Sequence, residues 1–166
     1  MLFAAALVAV STVHAADLMG KEAPAFTLKT ADGHETSLAE ALKKGPVLVD
    51  FWATWCQPCK QALVPLSKIY DTYKDQGFTL LAISVDNTRS VSKIRPYIRS
   101  KGYDFPVLLD TDSEVLRQYG GTNIPHSVLI APDGTIHKIW IGYQPGEERE
   151  VEKEVKALLA SKEADK

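Results

Sequence analysis

Cys56 and Cys59 are the only cysteines in the chain, and their setting constrains the fold more than any other feature. An apolar run over residues 47–53 reads as a buried strand. Pro58 and Lys60 then open a segment with helical periodicity. A C-x-x-C pair at the start of a helix that leaves a strand is a redox arrangement. The first amide groups of such a helix point at the leading sulfur, and the macrodipole favours its thiolate. Two intervening residues also let both sulfurs sit on one turn, close enough to form a disulfide.

The remaining chain supports an α/β domain around that unit. Alternation over residues 25–29, a turn at 31–34 and a short return at 35–38 predict a leading hairpin. A short helix follows over 37–44, capped by Ser37 and ended by Gly45-Pro46. Leu63, Leu66, Ile69, Tyr70 and Tyr73 repeat at helical spacing, and Gly77 stops that helix. Residues 78–85 read as another buried strand. Asn87 or Thr88 should cap a helix carrying Val91, Ile94 and Ile98, which Pro96 should kink or shorten. A short strand at 107–109, a short helix at 113–119, and a hairpin of 127–131 and 135–141 about Pro132-Asp133-Gly134 follow. The last helix carries Val151, Val155, Leu158 and Leu159 on one stripe. This order predicts a central mixed sheet with helices on both faces, its first strands parallel and its final hairpin antiparallel.

A chain of 166 residues suggests one domain, long enough to bury a core without staples. A net charge of −2 with no basic stripe argues against a nucleic-acid partner. At the N-terminus, residues 2–10 are apolar and small, and Val13-His14-Ala15 fits a small-residue cleavage site. The expectation is a signal peptide over 1–15 and a single domain over 16–166, periplasmic or otherwise exported. No Lys or Arg precedes the run. A membrane anchor is the rival reading, although the run is short of the ~20 apolar residues a span needs. A buried N-terminal strand is the plainer one.

Three positions carry the chemistry. Cys56, at the helix start, is the expected nucleophile. Cys59, one turn in and more buried, would resolve the mixed disulfide. The alternative is a static disulfide, but so small a loop contributes little stability. Asp50 lies mid-strand between Val49 and Phe51, where burial should raise its pKa toward neutrality. It could lie beneath the dithiol and pass a proton to or from Cys59, or it could face a half-exposed surface and pair with a lysine. Pro125 follows Ile124 directly before a strand. That bond could be cis, or Pro125 could be an ordinary strand-entry proline.

The string Val49-Asp50-Phe51-Trp52-Ala53-x-Trp55-Cys56-x-Pro58-Cys59-Lys60 resembles the thioredoxin active-site signature, and Ile124-Pro125 resembles that family's cis-proline loop. Similarity runs from about residue 21 to about 159. The leading hairpin, with an added αβ segment over about 89–120, resembles the exported TlpA/ResA-like branch. The resemblance implies a thioredoxin fold and thiol–disulfide exchange without a cofactor or metal. Cys56 would attack, Cys59 resolve and Asp50 assist proton transfer. Pro125 would sit opposite the sulfurs in cis, Ile124 would offer backbone hydrogen bonds to an extended substrate, and Trp55 would shield the dithiol or pack as a core aromatic. Partners would be disulfide-containing proteins and a membrane dithiol electron donor, with apocytochrome c maturation as one route.

Several residues depart from that pattern. Ala62 stands where many members of the branch carry Glu, Pro65 falls one residue later than usual, and Gln57 replaces the common Gly or Glu. His126 follows Pro125, where Thr is commoner. It could touch Cys56, face the surface, or be satisfied in the core. Two other functions compete with a disulfide reductase. One is copper or zinc handling by Cys56, Cys59 and His126. The other is a peroxiredoxin, although Ala53 stands where that family needs Thr and Thr54 is one place off.

Overall fold

The computed structural model describes residues 15–164, and within them a five-stranded mixed sheet carries the Cys56–Cys59 unit. Residues 1–14, and with them most of the expected leader, lie outside the described residues. After a short helix α1 (Ala15–Leu18), β1 (Thr27–Lys29) and β2 (Glu35–Ser37) pair antiparallel as a separate two-stranded sheet. Then come α2 (Leu38–Leu42), β3 (Val47–Trp52), α3 (Gln57–Tyr73), β4 (Thr79–Ser84), α4 (Ile94–Lys101), β5 (Val107–Leu109), α5 (Glu114–Gln118), β6 (His126–Ile130), β7 (Ile136–Ile141) and α6 (Glu148–Ala164).

The sheet order is β5-β4-β3-β6-β7. β3, β4 and β5 run parallel, whereas β6 runs antiparallel to β3 and β7 to β6. The final hairpin is therefore not wholly an edge: β6 lies inside the sheet beside β3. Every residue of β3, β4 and β6 is buried, which explains their near-continuous apolar runs, since both faces are covered. Leu48 and Trp52 pack with Leu63, Leu66 and Ile69 of α3, Ile94 of α4 and Val155 of α6. Val47, Val49 and Phe51 pack on the other face with Leu18, Leu38, Val115 and Tyr119.

The chain segment before β2 reaches both edges of this sheet. Gly20 N–H donates to the Ile136 carbonyl at 2.9 Å and Ile136 N–H to the Lys21 carbonyl at 2.8 Å, on β7. At the opposite edge Ala31 N–H donates to the Val107 carbonyl at 2.7 Å, and Thr30 bridges Leu108 of β5.

Local expectations hold at Ser37, whose hydroxyl accepts the Glu40 N–H at 3.2 Å and caps α2. They fail in the segment after β4. Asn87 closes a turn, its carbonyl accepting the Ser90 and Val91 N–H groups, and a 3₁₀ turn over Val91–Lys93 intervenes before α4. Because α4 starts only at Ile94, Pro96 falls in its first turn, where an N–H has no intrahelical partner to lose. It causes no kink. The α5 helix is capped from outside: the Asp110 carboxylate accepts the Val115 and Leu116 N–H groups at 3.2 and 2.9 Å.

Candidate active site

Cys56 is the N-cap of α3, with extended backbone angles, and Pro58 falls in the helix's first turn. Its Sγ accepts the Cys59 N–H at 3.2 Å, one of the helix-end amides that otherwise lack a partner. The two cysteines are joined as a disulfide with Cα atoms 5.3 Å apart. Cys56 is 6% exposed and Cys59 fully buried. Once the disulfide opens, charge on Cys56 therefore meets a pointed N–H and the positive end of a 17-residue helix, while Cys59, inside the first turn, meets no solvent.

The Ile124–Pro125 loop faces this helix end. Its peptide bond is cis, and Cys56 Sγ lies 3.9 Å from the Ile124 carbonyl oxygen. Gly142 N–H donates to the Pro125 carbonyl at 2.8 Å, tying the loop to the end of β7.

Alternation along β3 sends Asp50 to the same side as Leu48 and Trp52, the layer that holds Cys56, Cys59 and α3. The carboxyl group is fully buried, and among the described residues no lysine pairs with it. Ser127, its register partner on β6, donates from Oγ to Oδ1 at 2.6 Å, and Oδ2 has no hydrogen bond. Burial pushes the Asp50 pKa up to about 7, with the Ser127 hydrogen bond pulling the other way.

Trp55 is 65% exposed, so the core-aromatic reading fails and its ring stands beside Cys56 in solvent. His126 is in the opposite layer. Its ring lies against Phe51, with Nε2 3.0 Å from the Tyr119 carbonyl, and burial lowers its pKa despite that bond. It is a core-satisfied histidine and does not join the two sulfurs. Among the described residues no cluster of three or more His, Cys, Asp or Glu side chains is placed to hold a metal ion. A cleft of about 440 Å³ between the β1–β2 hairpin, α4 and β5 contains none of the candidate site residues.

Two residues of the site escaped sequence reasoning. Asp86, just past β4, is fully buried. Its carboxylate accepts the Thr54 N–H at 2.7 Å, the Thr54 hydroxyl at 2.7 Å and the Ser84 hydroxyl at 2.9 Å. It anchors the loop that presents Trp55 and Cys56, and it occupies the Thr54 hydroxyl that the peroxidase reading would need. The signal was an acid at the carboxyl end of an apolar parallel strand, where α/β sheets build their sites. Ser127 was the second: a hydroxyl inside an apolar strand, two residues after Pro125.

Comparison with known proteins agrees with this geometry. The model of the AhpC/TSA family matches residues 19–139. The thiol-disulfide oxidoreductase ResA of Bacillus subtilis (strain 168) is 35% identical over 123 residues, covering 74% of this chain and 67% of ResA. ResA of Bacillus thuringiensis (strain Al Hakam) is 33% identical over 132 residues, covering 80% and 75%. A solved thiol:disulfide interchange protein of the thioredoxin family from Chlorobium tepidum TLS superposes with a TM-score of 0.71 at 29% identity, covering 83% of this chain and 95% of that one.

Proposed function

We propose that this chain, which belongs to the AhpC/TSA family of the thioredoxin superfamily and is a thiol–disulfide oxidoreductase, works as a reductase of disulfides in exported proteins. The observation that carries the proposal is the pairing of a helix-capping Cys56 with a buried Cys59 in one layer with Asp50, a carboxyl group near pKa 7.

Reduction begins with the Cys56 thiolate attacking one sulfur of a substrate disulfide. The other substrate sulfur leaves as a thiolate, and a mixed disulfide remains on Cys56. The Ile124 backbone holds the extended substrate segment, Pro125 lies against the sulfurs, and the Trp55 ring covers the junction. Asp50 then takes the proton from the Cys59 thiol. Cys59 attacks Cys56, the internal disulfide forms, and the second substrate thiolate is released. A base with a pKa near 7 is matched to this transfer at neutral pH.

The reducing direction is supported by Asp50 and by Ile124 before the cis-proline, which match reducing thioredoxins better than oxidising relatives. Such an enzyme needs its electrons returned, and a membrane dithiol carrier outside the cytoplasm would supply them. Export rests on residues 1–15 as a signal peptide, cleaved after Ala15, with 16–166 as the working domain. No helix among the described residues is long and apolar enough to cross a membrane. Apocytochrome c, whose haem-binding cysteines must be reduced, is a fitting substrate class.

The reduction potential of the Cys56–Cys59 pair tests the direction. A value near about −270 mV, as in thioredoxin, with insulin precipitation in the presence of dithiothreitol, is expected. A value near about −120 mV would make the protein an oxidant and end the proposal.

A further inference from the structure

Asp50 is sealed. It is fully buried, and so is Cys59. A proton taken from the Cys59 thiol therefore cannot pass from Asp50 directly to bulk water, yet it must be drawn off as Cys59 attacks, or Asp50 would hand it back to the sulfur. Among the described residues Asp50 has one hydrogen-bond partner, Ser127, at 2.6 Å. Ser127 is less completely enclosed, at 8% exposure. Ser127 also lines a cavity of about 20 Å³, together with Ala62, Pro65, Trp140, Tyr143, Glu147 and Glu148 among others. Ala62, Ser127 and Trp140 are its buried floor, and Tyr143, Glu147 and Glu148 its half-buried rim. A space of that size holds one water, and the hydroxyl and carboxylates around it provide polar company. Ala62 matters here because its methyl group leaves the space open.

We infer that Ser127 is the proton-relay residue of this site, linking Asp50 through a single water in the Ala62-lined cavity to solvent. The inference rests on the proton-transfer reading of Asp50. The transfer balances as follows. Asp50 receives the Cys59 proton and becomes a neutral acid. Its carboxyl group turns the hydrogen bond round, giving that proton to Ser127 Oγ while the Ser127 hydroxyl proton passes to the cavity water. Asp50 returns to carboxylate, Ser127 keeps its hydroxyl, and the hydronium discharges to bulk solvent. No electrons move in this step. The titratable and polar groups in the layer of Asp50 and its relay are the two cysteines of α3, Ser127 from β6, and Tyr143, Glu147 and Glu148 at the cavity rim.

The test is stopped-flow reaction of the reduced full chain with 5,5′-dithiobis(2-nitrobenzoate). The first thionitrobenzoate released reports attack by Cys56 and the second reports attack by Cys59. Ser127→Ala should slow the second phase about tenfold across pH 6 to 9, leave the first unchanged, and reduce the solvent isotope effect on the second. Ser127→Thr should restore it. Ala62→Leu, which fills the cavity, should slow the second phase in the same way without touching the Asp50–Ser127 contact. In an Asp50→Asn background, Ser127→Ala should add nothing further. A Ser127→Ala profile that only slides along the pH axis, with its plateau intact, would assign the hydroxyl a purely electrostatic role and overturn the relay. If Asp50→Asn itself leaves the second phase unchanged, the proton-transfer reading of Asp50 falls. If Asp50→Asn slows it and Ser127→Ala does not, the relay alone falls.

Discussion

Asp50 and Ser127 stand in register across the β3–β6 ladder, and the Ser127 hydroxyl donates to one carboxyl oxygen while the other is left without a partner. A carboxyl group so placed stores a conflict. The fold favours it neutral, whereas the unfolded chain ionises it near pH 4.

That conflict sets a pH dependence of stability. Between about pH 4 and pH 7 the folded state holds a proton on Asp50 that the unfolded state has lost, so stability falls as pH rises through this window. The rise in pKa from 3.8 to about 7 corresponds to about 4 kcal/mol. Asp50→Asn should raise the urea midpoint of the oxidised protein at pH 8 and leave it nearly unchanged at pH 4. Equal effects at both pH values would show that the carboxyl group is not buried in the ionised state.

The two thiols should differ sharply in reactivity. In the reduced protein, iodoacetamide should modify Cys56 with a pH midpoint below the ordinary value of about 8.5, because the helix end and the Cys59 N–H favour its thiolate. Cys59 should be modified only after denaturation. Peptide mapping of the label decides it, and equal labelling of both residues would contradict the burial difference.

Trp55 should affect substrate handling without affecting folding. With its ring largely in solvent, Trp55→Ala should change stability by no more than about 0.5 kcal/mol. It should raise KM for a protein disulfide severalfold while leaving the reaction with a small aromatic disulfide nearly unchanged. A large loss of thermal stability would place the ring in the core instead.

The loop before Cys56 hangs on Asp86. Asp86→Ala strands the Thr54 N–H, the Thr54 hydroxyl and the Ser84 hydroxyl, and should cost about 3 kcal/mol. Thr54→Val removes one of those donors and should cost about 1 kcal/mol. Guanidinium titrations of the two variants measure the difference. Costs of equal size would mean that the backbone bond to Thr54 contributes nothing.

His126 should be silent in the chemistry and active in stability. Its lowered pKa means that the unfolded chain binds a proton more readily below about pH 6.5, so the native protein loses stability as pH falls through that region. His126→Leu should remove this loss and leave the pH midpoint of Cys56 alkylation where it was. A shifted midpoint would return the ring to the vicinity of the sulfur.

Most of the frame was legible because its signals are local. Residues 47–52 are a strand for the same reason that they look like one: both faces are covered, so polar interruptions are excluded, and Asp50 shows as the exception. Ser37 starts α2, and Gly77 closes the 3₁₀ turn over Lys74–Gln76 that follows α3, each through its immediate neighbours. What failed depends on contacts between distant segments. The cap of α5 comes from Asp110, outside the helix, and the first residue of α4 is set by a turn at Asn87, which decides whether Pro96 is harmful or harmless. In the proposed site, Cys56, Cys59 and Asp50 stand out in the sequence by type and spacing. Ser127 and Asp86 did not, because a serine or an aspartate near a strand end gains meaning only when a partner 77 or 32 residues away is brought against it. The side to which His126 points is likewise a matter of strand register, fixed by its pairing with Phe51.

The segment that crosses from Gly20 to Ala31 has a consequence for association between chains. By docking on β7 at one margin and on β5 at the other, it fills backbone positions that could otherwise template a neighbour's strand. A strand arriving from outside finds residues 135–136 of one margin and 107–108 of the other already taken, and would have to displace this segment to pair there.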